Sequence, residues 1–292
     1  MSAAEVTESV AHTSPSAPPR RRLVSTRLLR SELGLIAGRR RNQMGLLVLA
    51  LVPVVLAIAV KVSSRSPRGG PDFLSSVTAN GLFVPLAALT VEMGLFLPLA
   101  ISMLAGDAIA GEANLGTLRY LLTVPVGRTR LLLVKYASLC IGALWGVLTV
   151  AVAGALIGIA LFGTGPLTTL SGTQLEFGAA LGRLALVVLY LSAGIAALGA
   201  VGLFISTLTE QPIAATIALM IVTILSWILD GVPQVAWLHP WLIVDQWLAF
   251  SDLLRDPPFW DNVLRGLGVD AAYAVVFWLA AWARFAGKDI TS

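Results

Sequence analysis

A chain of 292 residues that is 57% hydrophobic and only 12% charged, with a mean hydropathy of +0.85, has too little polar surface to cover a globule in water. Soluble domains carry about 25% charged residues, so the composition excludes an ordinary soluble enzyme and calls for an all-α polytopic membrane protein, whose apolar helices satisfy their own backbone hydrogen bonds in a bilayer. The net charge of +4 does not call for nucleic acid, because much of the basic charge gathers ahead of the first apolar run (Arg20, Arg21, Arg22, Arg27, Arg30, Arg39, Arg40, Arg41), with no interleaved stacking aromatics.

Residues 1–25 are rich in Ser, Ala, Pro and Glu, then Arg. They predict a disordered cytoplasmic tail, and no cleavable signal peptide is read there, because the first apolar run starts too far from Met1. In residues 26–41, Leu28, Leu29, Leu33 and Ile36 fall near helical spacing with Arg27, Arg30 and Arg39 around them. This pattern predicts an amphipathic helix on the inner membrane face; a plain charged lead-in to the first span is the alternative.

The spans expected within a transmembrane domain over 26–292 run at about 44–62, 82–104, 136–162, 181–206, 213–229 and 266–285. Besides the N-terminal arginines, Arg119, Arg128, Arg130, Lys135, Arg284 and Lys288 fall on one side. Lys61, Arg65, Arg68, Arg183, Arg255 and Arg265 fall on the other. The bias places both termini in the cytoplasm of a multi-pass protein of the cell membrane. The third span holds two Gly-xxx-Gly pairs, Gly142/Gly146 and Gly154/Gly158, which let helix backbones approach closely within one subunit or between two. The lone cysteine, Cys140, lies in this span and reads as a small packing residue. The segment 231–264 is too polar to cross; it sets Trp237, Trp241, Trp247 and Trp260 beside Asp245, Asp252, Asp256 and Asp261. Trp prefers the headgroup zone, so one or two short helices on the outer surface are expected, as an interfacial anchor or as a lid.

Catalytic constellations are missing. The two histidines, His12 and His239, fall outside the spans, no paired cysteines exist, and neither HExxH nor a Gly-xxxx-Gly-Lys-Ser/Thr loop occurs. The chain therefore reads as a non-enzyme without its own cofactor. Glu92, near the middle of the second span, is the residue in the costliest place, and an intramembrane carboxylate is a candidate for a translocation path or an ion site. A structural glutamate bonded to a neighbouring helix is the competing reading.

Between the second and third spans lies a polar island, Gly111-Glu112-Ala113-Asn114-Leu115-Gly116-Thr117-Leu118-Arg119-Tyr120-Leu121-Leu122, followed by Pro125 and Arg128. Gly106, Asp107, Gly111, Glu112 and Asn114 predict a break after the second span, and residues 115–122 a short helix ended by Pro125. Composition alone leaves an ordinary loop open. The segment Glu112 to Leu122, with Pro125-Val126-Gly127-Arg128, resembles the E-x-x-x-G-T-L-x-x-L-L-x-x-P-x-x-R stretch of the ABC-2 type permeases. The likeness extends over residues 26–292 through the basic lead-in, the spans and the charged end.

The resemblance implies the membrane half of an ATP-binding cassette transporter, usually an exporter, paired with a second permease subunit, identical or similar, in the lipid bilayer. A separate ATPase subunit would carry the ATP and magnesium. The region 106–135 would hold the coupling helix, with Glu112, Asn114 and Arg119 as polar contacts to the ATPase, Gly116 and Thr117 as the break and cap, and Pro125 and Arg128 beside them. The turn 207–212, with Glu210, would be a second contact. The competing class is an ion-coupled secondary transporter using Glu92.

Overall fold

The computed structural model describes residues 26–63, 80–116 and 127–287. Helix α1 (Thr26–Gly38) is followed by α2 (Arg40–Ser63), α3 (Phe83–Gly94), α4 (Phe96–Asn114), α5 (Arg128–Phe162), α6 (Phe177–Leu208), α7 (Pro212–Asp230) and α8 (Asp261–Ala286). Among the described residues, six helices (α2, α4, α5, α6, α7 and α8) are long and apolar enough to cross a membrane. The fold is that of an all-α polytopic membrane protein. A two-stranded hairpin, β1 (Leu167–Thr168) with β2 (Gln174–Leu175), is the small departure from it.

Helix α6 is the hub. In its most apolar window 67% of residues are buried, against 17% in α2 and in α8 and 22% in α7. It packs on α8, α5 and α4, while α5 also meets α2 and α3, and α4 meets α7. The bare apolar faces of α2 (Leu47, Leu51, Val55, Ile58) and α7 (Ile217, Ile221, Leu225, Ile228) point away from this core. Such faces require lipid or another apolar partner rather than water.

The second apolar run is two helices, α3 and α4, broken at Leu95 with φ −148° and ψ −55°. The cause is local. Pro98 has no N–H to give the carbonyl of Gly94 four residues back, and its ring would clash with that carbonyl. The amide of Leu95 turns instead to Glu92 O at 3.3 Å.

The glycines of α5 explain how α3 and α4 lie so close. A Cβ on Gly158 would strike the backbone of Gly81, one on Gly154 would sit 2.7 Å from Pro85 Cα, and one on Gly142 would sit 2.9 Å from a methyl of Leu104. These contacts all lie within one subunit, the first of the two packings that the sequence left open.

The segment between α7 and α8 holds three 3₁₀ turns, Pro233–Val235, His239–Trp241 and Trp247–Leu254, rather than α-helices. Its tryptophans divide. Trp237 and Trp241 are 73% and 70% exposed, as expected of headgroup anchors, whereas Trp247 is 2% exposed and meets Trp227 edge-on at 6.0 Å. The segment is therefore a packed cap bolted to the bundle. Asp270, buried at the same end, lies against Gly194 beside Trp247 and forms no ion pair with Arg183.

Candidate functional site

The expected break at 106–114 is absent. Helix α4 runs through Gly106, widens into a π-turn over Asp107–Gly111, and continues to Asn114. A π-turn leaves backbone groups out of register, and Ser206 of α6 repairs them. Its buried hydroxyl accepts from the amides of Ile109 at 3.1 Å and Ala110 at 2.9 Å, and donates to Gly106 O at 3.1 Å. Ser206→Ala should therefore lower stability by about 1–3 kcal/mol, because two buried amides lose their acceptor. An unchanged thermal midpoint in detergent would remove this account of the π-turn.

Beyond the π-turn the helix ends at a bare tip. Asn114, Leu115 and Gly116 are exposed, Leu115 by 68%, and Gly116 turns the chain with φ +68°. A left-handed residue just past a helix suits glycine, which has no Cβ to clash. Thr117, Arg119 and Pro125 of the expected set lie outside the described residues.

Two ionic clasps hold the base of this tip. Lys135 of α5, with its side chain 3% exposed, donates to Glu32 Oε1 of α1 at 2.7 Å and to Glu112 Oε1. Arg39 and Arg41, at the elbow between α1 and α2, both reach Asp107 Oδ2. The amphipathic helix is thereby tied to the island. Leu28, Leu29, Leu33 and Ile36 are its half-buried apolar side chains, and Arg27 and Arg30 are exposed. Glu112 thus points inward at Lys135.

Arg128 donates to Ala286 O at 2.6 Å, and Trp282 Nε1 to Thr129 Oγ1 at 2.9 Å. A cation on the last carbonyls of α8 suits that end of the helix dipole. Helix α4 meets the turn 207–212 equally closely, since a Cβ on Gly106 would lie 2.8 Å from Pro212 O. Glu210 is exposed on that turn, and Gln211 N donates to Thr209 Oγ1 at 3.1 Å. Asn114, Gly116 and Glu210 therefore share one exposed end, while Glu112 braces it from inside and Arg128 ties the start of α5 to the end of α8. Glu32, Lys135 and Ser206 complete that bracing. No local sequence pattern marks Glu32 or Ser206, and Lys135 stands in the sequence only as one of the basic residues on the island's side.

Glu92 lies elsewhere. It is 0% exposed near the end of α3, and among the described residues neither carboxylate oxygen has a hydrogen-bond partner. It stands just before the break at Leu95.

Fold and site together define a six-span helical membrane protein with a braced polar tip at one end of the bundle. The chain belongs to the family described as "Protein of unknown function (DUF2705)", whose model matches residues 54–291. It is also similar to the probable ABC transporter permease protein NosY of Pseudomonas aeruginosa, 37% identical over 101 residues, which cover 35% of this chain and 34% of that one. The protein of the same description from Stutzerimonas stutzeri is 36% identical over 93 residues, covering 32% of each chain. The chain spans about a third of the length of the curated relatives it matches.

Proposed function

We propose that this chain is the permease subunit of an ATP-binding cassette transporter of the ABC-2 type, working as an exporter with a separate ATPase subunit and a second permease subunit. The carrying observation is the exposed tip Asn114–Gly116 at the end of a membrane-spanning helix, clamped at its base by Lys135, Glu32 and Glu112. A bare, rigidly held tip transmits a push along its helix, where a floppy loop would absorb it. The similarity to two probable permease proteins supports the reading, as does the island motif.

In this reading residues 106–135 are the coupling region, and the tip seats in a groove of the ATPase. Asn114, Gly116, Thr117 and Arg119 aim and hold it, with Pro125, Arg128 and Glu112 as its supports and Glu210 as the second contact. Closure of the ATP-bound ATPase dimer moves the tip, and the bundle rocks between inward and outward openings. Both termini lie on the ATPase side, in the cytoplasm, and ATP and magnesium belong to the partner.

Gentle purification of the tagged chain from its own membranes tests this. An ATPase subunit should accompany it in equal amount, and Asn114→Ala with Gly116→Ala should release that subunit or uncouple its ATP hydrolysis from transport. Normal coupling in the double variant would sink the assignment. A second reading, ion-coupled transport, is favoured by the unpartnered Glu92 alone. A preparation with no ATPase, in which Glu92→Gln abolishes transport but leaves assembly intact, would establish it instead.

A further inference from the structure

At the end of the bundle away from the island, three side chains converge. Asp230 is the last residue of α7, His239 opens the second 3₁₀ turn, and Asp245 lies just ahead of the third. One ligand atom from each lies within 4.8 Å of the other two, and all three residues are half-buried. Ligands at about 2.0–2.2 Å from a shared ion stand roughly 3.5 Å apart, so small side-chain rotations complete the set.

The surroundings hold these groups in place. Trp227, one turn before Asp230, meets the buried Trp247 at 6.0 Å, which fixes the end of α7 against the cap. Tyr190 donates to Gln246 O at 2.5 Å, and the Gln246 side-chain amide donates to Asp245 Oδ2. His239 Nε2 lies 3.2 Å from Val232 O. With Nε2–H donated to that carbonyl, Nδ1 keeps its lone pair for an ion, the outer-shell arrangement usual for a ligating histidine. Among the described residues neither Asp230 nor Asp245 forms an ion pair with a Lys or Arg. Two facing carboxylates without a cation repel each other.

We propose that Asp230, His239 and Asp245 bind a divalent first-row transition ion, best matched by zinc, that staples the cap segment to the end of α7. One imidazole with two carboxylates suits zinc, which binds through nitrogen and oxygen with a fourth position open to water. Magnesium and calcium prefer oxygen-only sets. The site is independent of the transport reading.

The test uses the full chain purified in detergent, stripped with a chelator and titrated with zinc chloride alone. Uptake of about one zinc per chain and a higher thermal midpoint are expected. His239→Gln and Asp245→Asn should each weaken binding by more than about tenfold while eluting from size exclusion like the parent chain. Calcium at the same concentration should leave the midpoint unmoved. Cobalt titrated into the parent chain should give visible absorption bands, a readout that needs no variant. Equal zinc uptake by parent and variants means an adventitious ion only, and would overturn the proposal. So would absence of both zinc uptake and cobalt bands.

Discussion

Lys135→Met is expected to lower stability by about 3–5 kcal/mol, the cost of breaking a buried ion pair from one side. The ammonium of Lys135 is 3% exposed and stands between two carboxylates, of side-chain exposure 16% for Glu32 and 13% for Glu112. Removing it leaves two like charges facing each other in a crevice with little water. The cheapest escape is for α1 to swing away from α5, because α1 carries Glu32 and packs on the bundle mainly through half-buried leucines. Thermal unfolding in detergent reads the loss, and a new protease-sensitive site near the elbow reads the detachment.

Two companions make the expectation specific. Glu32→Gln should be much milder, since Glu112 still neutralises the lysine. The triple change Lys135→Met, Glu32→Gln, Glu112→Gln should recover most of the loss, because replacing a buried ionic cluster by neutral groups of similar size is often close to neutral. If the triple variant is as unstable as Lys135→Met, the damage comes from packing and the charge argument fails.

The spans were legible because a bilayer leaves the backbone so few choices that hydropathy alone reports them. Residues acting across the bundle were not. Pro98 breaks the helix four residues after Gly94, yet it sits inside one long apolar run, where hydropathy reports a single span. The continuation of α4 through Asp107–Gly111 depends on Ser206, close to a hundred residues away, which no local pattern announces. Glu32 carries no signal of its own; only the fold carries it to Lys135. The cap tryptophans looked alike in sequence, and only packing separates buried Trp247 from exposed Trp237 and Trp241. What the sequence did reveal of the site was its place: a polar island among apolar runs, the feature that still carries the functional reading.

Gly158→Ala and Gly146→Ala should move stability in opposite directions, although both glycines belong to the same kind of Gly-xxx-Gly pair in α5. A Cβ on Gly158 would fall on the carbonyl oxygen of Gly81, and one on Gly81 would fall on the backbone of Gly158. Neither neighbour is a side chain that could rotate away. The two backbones are also strapped together just beyond the contact. Gly81 N donates to Gly163 O at 3.0 Å and Asn80 Nδ2 to Gly165 O at 2.5 Å, the Asn80 side chain being held in place by Leu82 N, which donates to its Oδ1 at 2.7 Å. Admitting one methyl therefore means moving α3 off α5 and straining those bonds, a loss of about 3 kcal/mol or more. Gly146 faces only the methyls of Leu97 at 3.5 Å and Leu49 at 3.7 Å, ordinary contact distances. There the helical preference of alanine, worth about 0.5–1 kcal/mol over glycine, should prevail. Parallel thermal melts of the two variants decide it: equal shifts would mean that helix propensity, not the close approach of α3, governs this span.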